Sequence, residues 1–156
     1  MNKKIWVVIT GVLISLFFIQ SGSSEAGESG KESLFVGMAK INITPGVPVV
    51  MSGYSARKDP FKGIHDELFA TAIVFNDGTN KAAIISAEVI GFSFNQWDEI
   101  TKRIEKETGI QQKYILLSPV HNHGGPSTRL YTDNPDKDLV AYNEELKDKL
   151  VTITKE

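Results

Sequence analysis

Two runs of β-branched and small apolar residues, Leu68–Phe75 and Lys81–Ile90, flank the five residues Asn76-Asp77-Gly78-Thr79-Asn80. An Asp-Gly step between strand-like runs is a strong hairpin signal, because glycine accepts the positive φ that a tight turn demands. An antiparallel pair is therefore predicted, and it limits what the neighbouring segments can build. Ala82-Ala83-Ile84-Ile85 is apolar at every position, which suits a strand covered on both faces. In Phe94–Thr108, Trp97, Ile100, Thr101 and Ile104 share one helical face, with Asp98, Glu99, Lys102, Glu105 and Lys106 elsewhere, an amphipathic pattern. Ser93 or Asn95 can cap that helix at its start and Gly109 at its end. Tyr114–Leu117 then reads as a short strand leading into Ser118-Pro119-Val120-His121. Strand, helix and strand in this order predict an α/β arrangement, a mixed sheet with flanking helices.

Upstream, Phe35–Ile43 alternates weakly and stops at Thr44-Pro45-Gly46, a turn sequence. Val47–Met51 reads as a second short extended piece, broken by Gly53, and Arg57–Gly63 as a surface loop. Downstream, Leu139, Tyr142, Leu146, Leu150 and Ile153 fall near one face of a helix that runs toward Glu156 without a glycine or proline stop. An apolar stripe with no evident partner implies missing elements. The expectation is an incomplete portion of a larger domain, spanning 34–156, from a fragment or a truncated frame. Its stripe would be exposed, leaving it marginally stable or prone to associate.

The N-terminus has a different character. Met1-Asn2-Lys3-Lys4 is cationic, Ile5–Ile19 is apolar apart from Thr10, Gly11 and Ser15, and Ser24-Glu25-Ala26 puts small residues where a signal peptidase reads them. That order is the secretory pattern, and the run is shorter than the roughly 20 residues needed to span a bilayer. Residues 1–26 are thus expected to be a signal peptide, 27–33 a flexible leader, and the product secreted or periplasmic. The chain contains no cysteine, so neither a disulfide nor a lipid-modified N-terminal cysteine is available; stability must come from a packed core or a metal. Its formal net charge is -2, and loss of 1–26 removes two lysines and one glutamate. With no basic excess, a nucleic-acid partner is not expected.

Chemistry concentrates in few places. Of the three histidines, His121 and His123 stand two apart in His121-Asn122-His123, ahead of Gly124-Gly125-Pro126. At a strand's end, side chains two apart point the same way, so both imidazoles can face one site, and neutral imidazole suits zinc. The competing reading is a polar loop whose histidines meet only water. Glu88 interrupts the apolar Ala82–Ile90 run; it can orient a histidine or move a proton at a cleft, or be a solvated carboxylate. His65, beside Asp66 and Glu67, is either a substrate-binding imidazole or an ordinary surface histidine.

A run of motifs joins these residues. Phe35-Val36-Gly37-Met38-Ala39-Lys40-Ile41-Asn42-Ile43-Thr44-Pro45, Met51-Ser52-Gly53-Tyr54, Gly63-Ile64-His65-Asp66, Ser86-Ala87-Glu88 and Val120-His121-Asn122-His123-Gly124-Gly125-Pro126 occur in that order. Together they resemble the N-terminal part of the neutral/alkaline non-lysosomal ceramidase catalytic domain. The resemblance implies a zinc-dependent amidase that cleaves an N-acyl lipid such as ceramide into sphingosine and a fatty acid, with transient contact with a membrane surface. It implies that His121 is a zinc ligand, that His123 and His65 are catalytic, and that Gly53 and Tyr54 bind substrate. Val120 and Gly124 stand where family members commonly carry threonine and serine, and Glu88 where they often carry aspartate. The resemblance also places the family's remaining zinc ligands and active-site serine beyond Glu156, so this chain alone is expected to be inactive. The alternatives are a secreted, non-catalytic binding module, or an amidase of the same family acting on another N-acyl substrate.

Overall fold

A computed structural model describes residues 33–130 and 135–155. The signal peptide read at 1–26, and all of the leader except Ser33, lie outside the described residues. Four strands form one mixed sheet in the order β1 (Phe35–Asn42), β2 (Phe69–Asn76), β3 (Lys81–Ala87), β4 (Ile115–Pro119). The predicted hairpin is β2–β3, antiparallel, with Ala72 opposite Ile85 and Asn76 opposite Lys81. Its turn is held by Asp77, whose carboxylate accepts from the backbone N–H groups of Thr79 (2.8 Å) and Asn80 (2.6 Å), while Gly78 takes φ 90°. β1 pairs antiparallel with β2, and β4 runs parallel to β3. A parallel neighbour requires a crossover, and helix α1 (Phe94–Thr108) supplies it.

The ends of α1 follow from local chemistry. Ser93 and Gln96 form a reciprocal capping box, and Gly109, at φ 74°, donates its N–H to the Glu105 carbonyl. These contacts satisfy groups that a helix end otherwise leaves without partners. Tyr114 belongs to a 3₁₀ turn (Gln112–Tyr114) rather than to the strand, and β4 extends to Pro119. The extended piece read at Val47–Met51 is not a strand; Val50 and Met51 make only isolated bridges, to Pro60 and Pro126. Pro48 has no N–H to contribute to a ladder there.

Helix α2 (Lys137–Lys155) corrects the largest structural expectation. Leu139, Tyr142, Leu146, Leu150 and Ile153 are all buried, so the stripe is not left exposed. Tyr142, Leu146, Leu150 and Ile153 share one core with Ala70, Ala72, Ala83, Ile85, Ile100 and Ile104. The alanines on β2 and β3 leave room for the helices to approach the sheet closely. Full burial of each Ile or Leu here stabilises by about 1.5–3 kcal/mol. Lys147 with Glu99 (2.7 Å), Lys155 with Glu107 (2.8 Å) and Arg103 with Asp148 tie α2 to α1 along the surface.

The opposite face of the sheet differs from what the all-apolar β3 run predicts. Ala83, Ile85 and Ala87 are buried, but Ile84 is 42% exposed. Its neighbours on that face, Met38 on β1 and Leu116 on β4, are 75% and 57% exposed. Among the described residues, both helices pack on one side of the sheet.

Candidate functional site

The histidine pair lies just past the carboxyl ends of the parallel strands β3 and β4, where open α/β sheets commonly leave a crevice. Pairing continues a little beyond the strands: Val120 N–H donates to the Ala87 carbonyl (3.0 Å) and Asn122 N–H to the Val89 carbonyl (3.1 Å). Between them, His121 takes φ 62°, a left-handed conformation disfavoured for a residue with a side chain. The two histidines are therefore turn residues and do not share a face through strand alternation. Their imidazoles still converge, with ring centroids 5.1 Å apart and Nε2 atoms 3.3 Å apart.

His121 Nδ1 lies 3.0 Å from the Ile90 carbonyl. A carbonyl can only accept, so Nδ1 carries the proton and, in the neutral ring, Nε2 keeps its lone pair. Metal-binding histidines commonly have their far nitrogen anchored in this way. Two ligands on one tetrahedral zinc, each at about 2.0–2.1 Å, stand roughly 3.3–3.4 Å apart. The observed Nε2 separation fits that edge, and equally fits an N–H donor on His123 facing the His121 lone pair. Among the described residues, no group of three His, Cys, Asp or Glu side chains converges well enough to hold a metal. The described residues thus offer one anchored imidazole with a second imidazole beside it.

His123 is set by the segment after β1. Ser52 N–H donates to the Gly125 carbonyl and Ser127 N–H to the Val50 carbonyl, both at 2.9 Å. Gly53 takes φ 101°, and a Cβ on it would meet His123 Cγ at 2.5 Å. Glycine is required there twice, for its backbone and for the space that the imidazole occupies. Tyr54 meets the His123 ring edge-on, at 5.2 Å and 85°.

His65 is elsewhere in this neighbourhood. Its side chain is 95% exposed, with Nδ1 2.7 Å from Asp66 Oδ2. It lines a cavity of about 330 Å³ together with Met51, Phe61, Ile64, Asn122 and Gly124. That cavity brings the Gly63–Asp66 motif beside the His121–Gly124 turn. Glu88 is half-buried and its carboxylate accepts from the Phe69 backbone N–H (2.8 Å), so it fixes the start of β2 opposite the end of β3.

Sequence reasoning missed two participants. The Ile90 carbonyl carries no residue-type signal. Arg57, assigned to a surface loop, donates to the carbonyls of Ser52 and His123, and nothing local separates it from Lys58 beside it. Both helices also reach the segment that follows the histidines: Gln96 Nε2 donates to the Thr128 carbonyl (2.6 Å) and Asn143 Nδ2 to the Ser127 carbonyl (3.1 Å).

Comparison with known proteins gives a consistent result. The family model described as neutral/alkaline non-lysosomal ceramidase, N-terminal, matches residues 34–154. The neutral ceramidase of Drosophila melanogaster is 32% identical over 95 residues, which make up 58% of this chain and 14% of that protein. The neutral ceramidase of Drosophila pseudoobscura pseudoobscura matches to the same extent. In structure, the chain is similar to the crystallographic neutral ceramidase from Pseudomonas aeruginosa, with a TM-score of 0.62 and 19% identity over 77% of this chain and 20% of that one. A ceramidase complexed with C2 gives a TM-score of 0.57 at 20% identity, over 78% of this chain and 20% of that one. The chain thus spans 14% of the length of these curated relatives and a fifth of the solved chains.

Proposed function

The chain belongs to the neutral/alkaline non-lysosomal ceramidase family, and from that premise we propose that it supplies part of the active site of an exported, zinc-dependent hydrolase of N-acyl lipids such as ceramide. The observation that carries this reading is the anchored imidazole. His121 Nδ1 is committed to the Ile90 carbonyl while Nε2 faces His123 Nε2 at 3.3 Å. His121 would hold zinc through Nε2. Zinc held there would supply Lewis acidity, able to polarise an amide carbonyl and to ease deprotonation of a water. His123, set against Gly53 and Tyr54, would donate a hydrogen bond to the oxygen on which charge develops. His65 and the adjoining cavity would meet substrate, and Gly53 and Tyr54, which pack against His123, would bind it from the other side of the histidine turn. Further ligands must join His121 for a complete catalytic site, so the described segment is expected to be inactive alone. Transient membrane contact is part of the same reading, since the substrate is a lipid.

Zinc titration of the chain, followed by NMR at the imidazoles, tests the ligand assignment. The His121 resonances are expected to move first, with the Nδ1–H hydrogen bond to Ile90 retained and His65 little affected. A response at His65 with none at His121 would remove His121 from the metal site. Hydrolysis is tested on a polypeptide extended past residue 156, offered a panel of N-acyl lipids. Release of fatty acid that is abolished by a chelator and by His121→Ala is the expected result. Val120 and Gly124 replace commonly polar family positions, which favours including N-acyl substrates other than ceramide in that panel.

A further inference from the structure

We propose that Arg57 is a positioning residue that sets the His123 ring, and through it the spacing of the histidine pair, by tying the Ser52–Tyr54 turn to the His123 backbone. The proposal rests on the histidine pair being the reactive site. The ladder between the two segments ends at Ser52, which donates its N–H to the Gly125 carbonyl and its hydroxyl to the Pro126 carbonyl (3.2 Å). Past that point the connection is made by a side chain. Arg57 Nη2 donates to the Ser52 carbonyl and, at 2.6 Å, to the His123 carbonyl, 66 positions away in sequence.

The same guanidinium lies 5.1 Å from the centre of the Tyr54 ring, which in turn meets the His123 imidazole edge-on. Arg57 thus holds His123 twice, by its backbone carbonyl and by the aromatic ring against its side chain. A turn makes this reach possible, since Arg57 N–H donates to the Tyr54 carbonyl (3.0 Å) and brings the side chain back over the turn. The Gly53 contact supplies the consequence. With His123 Cγ only 2.5 Å from where a Cβ would sit, a small shift of the turn must move the imidazole. Lysine is a poor substitute, because its ammonium nitrogen ends one bond short of where Nη2 meets both carbonyls, and it carries no guanidinium beside the Tyr54 ring.

The test compares Arg57→Met and Arg57→Lys with the parent chain by NMR, reading the cross-peaks between the Tyr54 and His123 rings. In folded Arg57→Met those cross-peaks are expected to vanish, while the hairpin dispersion and the His121 Nδ1–H signal persist. Arg57→Lys is expected to retain less than about half of their intensity, since it keeps a donor but its shorter side chain falls short of both carbonyls. Parent-like cross-peaks in folded Arg57→Met overturn the proposal. If that variant does not fold, parent-like cross-peaks in Arg57→Lys overturn it instead. In an active extended polypeptide, Arg57→Met should lower kcat roughly tenfold with KM changed less than twofold, as misplacement of a reacting group does. The ring readout uses neither metal nor substrate. Loss of the cross-peaks, with no hydrolysis by the extended polypeptide, therefore leaves the Arg57 assignment standing and removes the hydrolase reading alone.

Discussion

At the scale of single residues, the site depends on positions where backbone and side chain are constrained together. Gly53 is the sharpest case, combining φ 101° with a neighbouring imidazole where a Cβ would lie. Gly53→Ala is expected to destabilise the fold by about 1–3 kcal/mol through backbone strain and overpacking, and to displace the His123 ring. Denaturant unfolding and the Tyr54–His123 ring cross-peaks check the two effects separately. Unchanged stability with unchanged cross-peaks would mean that the turn relaxes freely, contrary to the observed packing. Tyr142 is constrained differently. Burial pushes its hydroxyl well above the ordinary 10.0, with Glu145 adding to the shift, and the hydroxyl donates to the Ile43 carbonyl (3.0 Å). The folded chain keeps this proton at pH values where the unfolded chain loses it. Its contribution is therefore complete below about pH 10 and declines as the pH rises further. Tyr142→Phe is expected to cost about 1 kcal/mol at neutral pH and to flatten the alkaline fall in unfolding midpoint. A parent-like alkaline fall in the variant would assign that fall to other groups.

At the scale of elements, adjacent residues on β3 have opposite surroundings. Ile85 is fully buried beneath the helices and Ile84 is 42% exposed on the other face. Ile85→Ala is expected to cost about 2–5 kcal/mol, whereas Ile84→Thr should stay within about 0.5 kcal/mol of the parent, both read from urea midpoints. Equal losses would require a cover on the second face. The β2–β3 turn carries a pH signature of its own. Backbone N–H groups of Asn80 and Thr79 hold the Asp77 carboxyl below its usual range. Its contribution is present above the ordinary carboxylate pKa and is lost as the pH falls through the lowered value. Asp77→Ala should remove that dependence while leaving the pairing register intact, as amide exchange across Ala72 and Ile85 can report. Elements were the most legible feature of the sequence. The hairpin signal at 76–80 and the Phe94–Thr108 helix with its Ser93 and Gly109 caps rest on interactions within a few residues, and these appear as read. Val47–Met51, read as an extended piece, pairs only through isolated bridges at Val50 and Met51, and Pro48 leaves a longer ladder without a donor.

At the scale of the whole molecule, one core joins the sheet to both helices, and those helices also fix the segment after the histidines. Gln96 on α1 and Asn143 on α2 donate to the Thr128 and Ser127 carbonyls. Asn143→Ala should therefore loosen the site as well as the fold, leaving a buried carbonyl unpaired at a cost of about 1–3 kcal/mol. Amide exchange at Ser127–Arg129 is expected to accelerate more than exchange in β2–β3; uniform acceleration would mean a purely global effect.

By itself the sequence determined where strands, caps and turns lie and which helical faces are apolar, because those preferences are settled by neighbours along the chain. It also carried the motif order by which the family is recognised. Tertiary structure decided which sheet face the helices cover, that the α2 stripe has a partner within the chain, and how the two imidazoles meet. Those outcomes depend on contacts across many residues, such as Arg57 with His123 and Tyr142 with Ile43. A left-handed turn at His121 and the room left by Gly53 fix the ring positions, and no local pattern encodes the partner each must find.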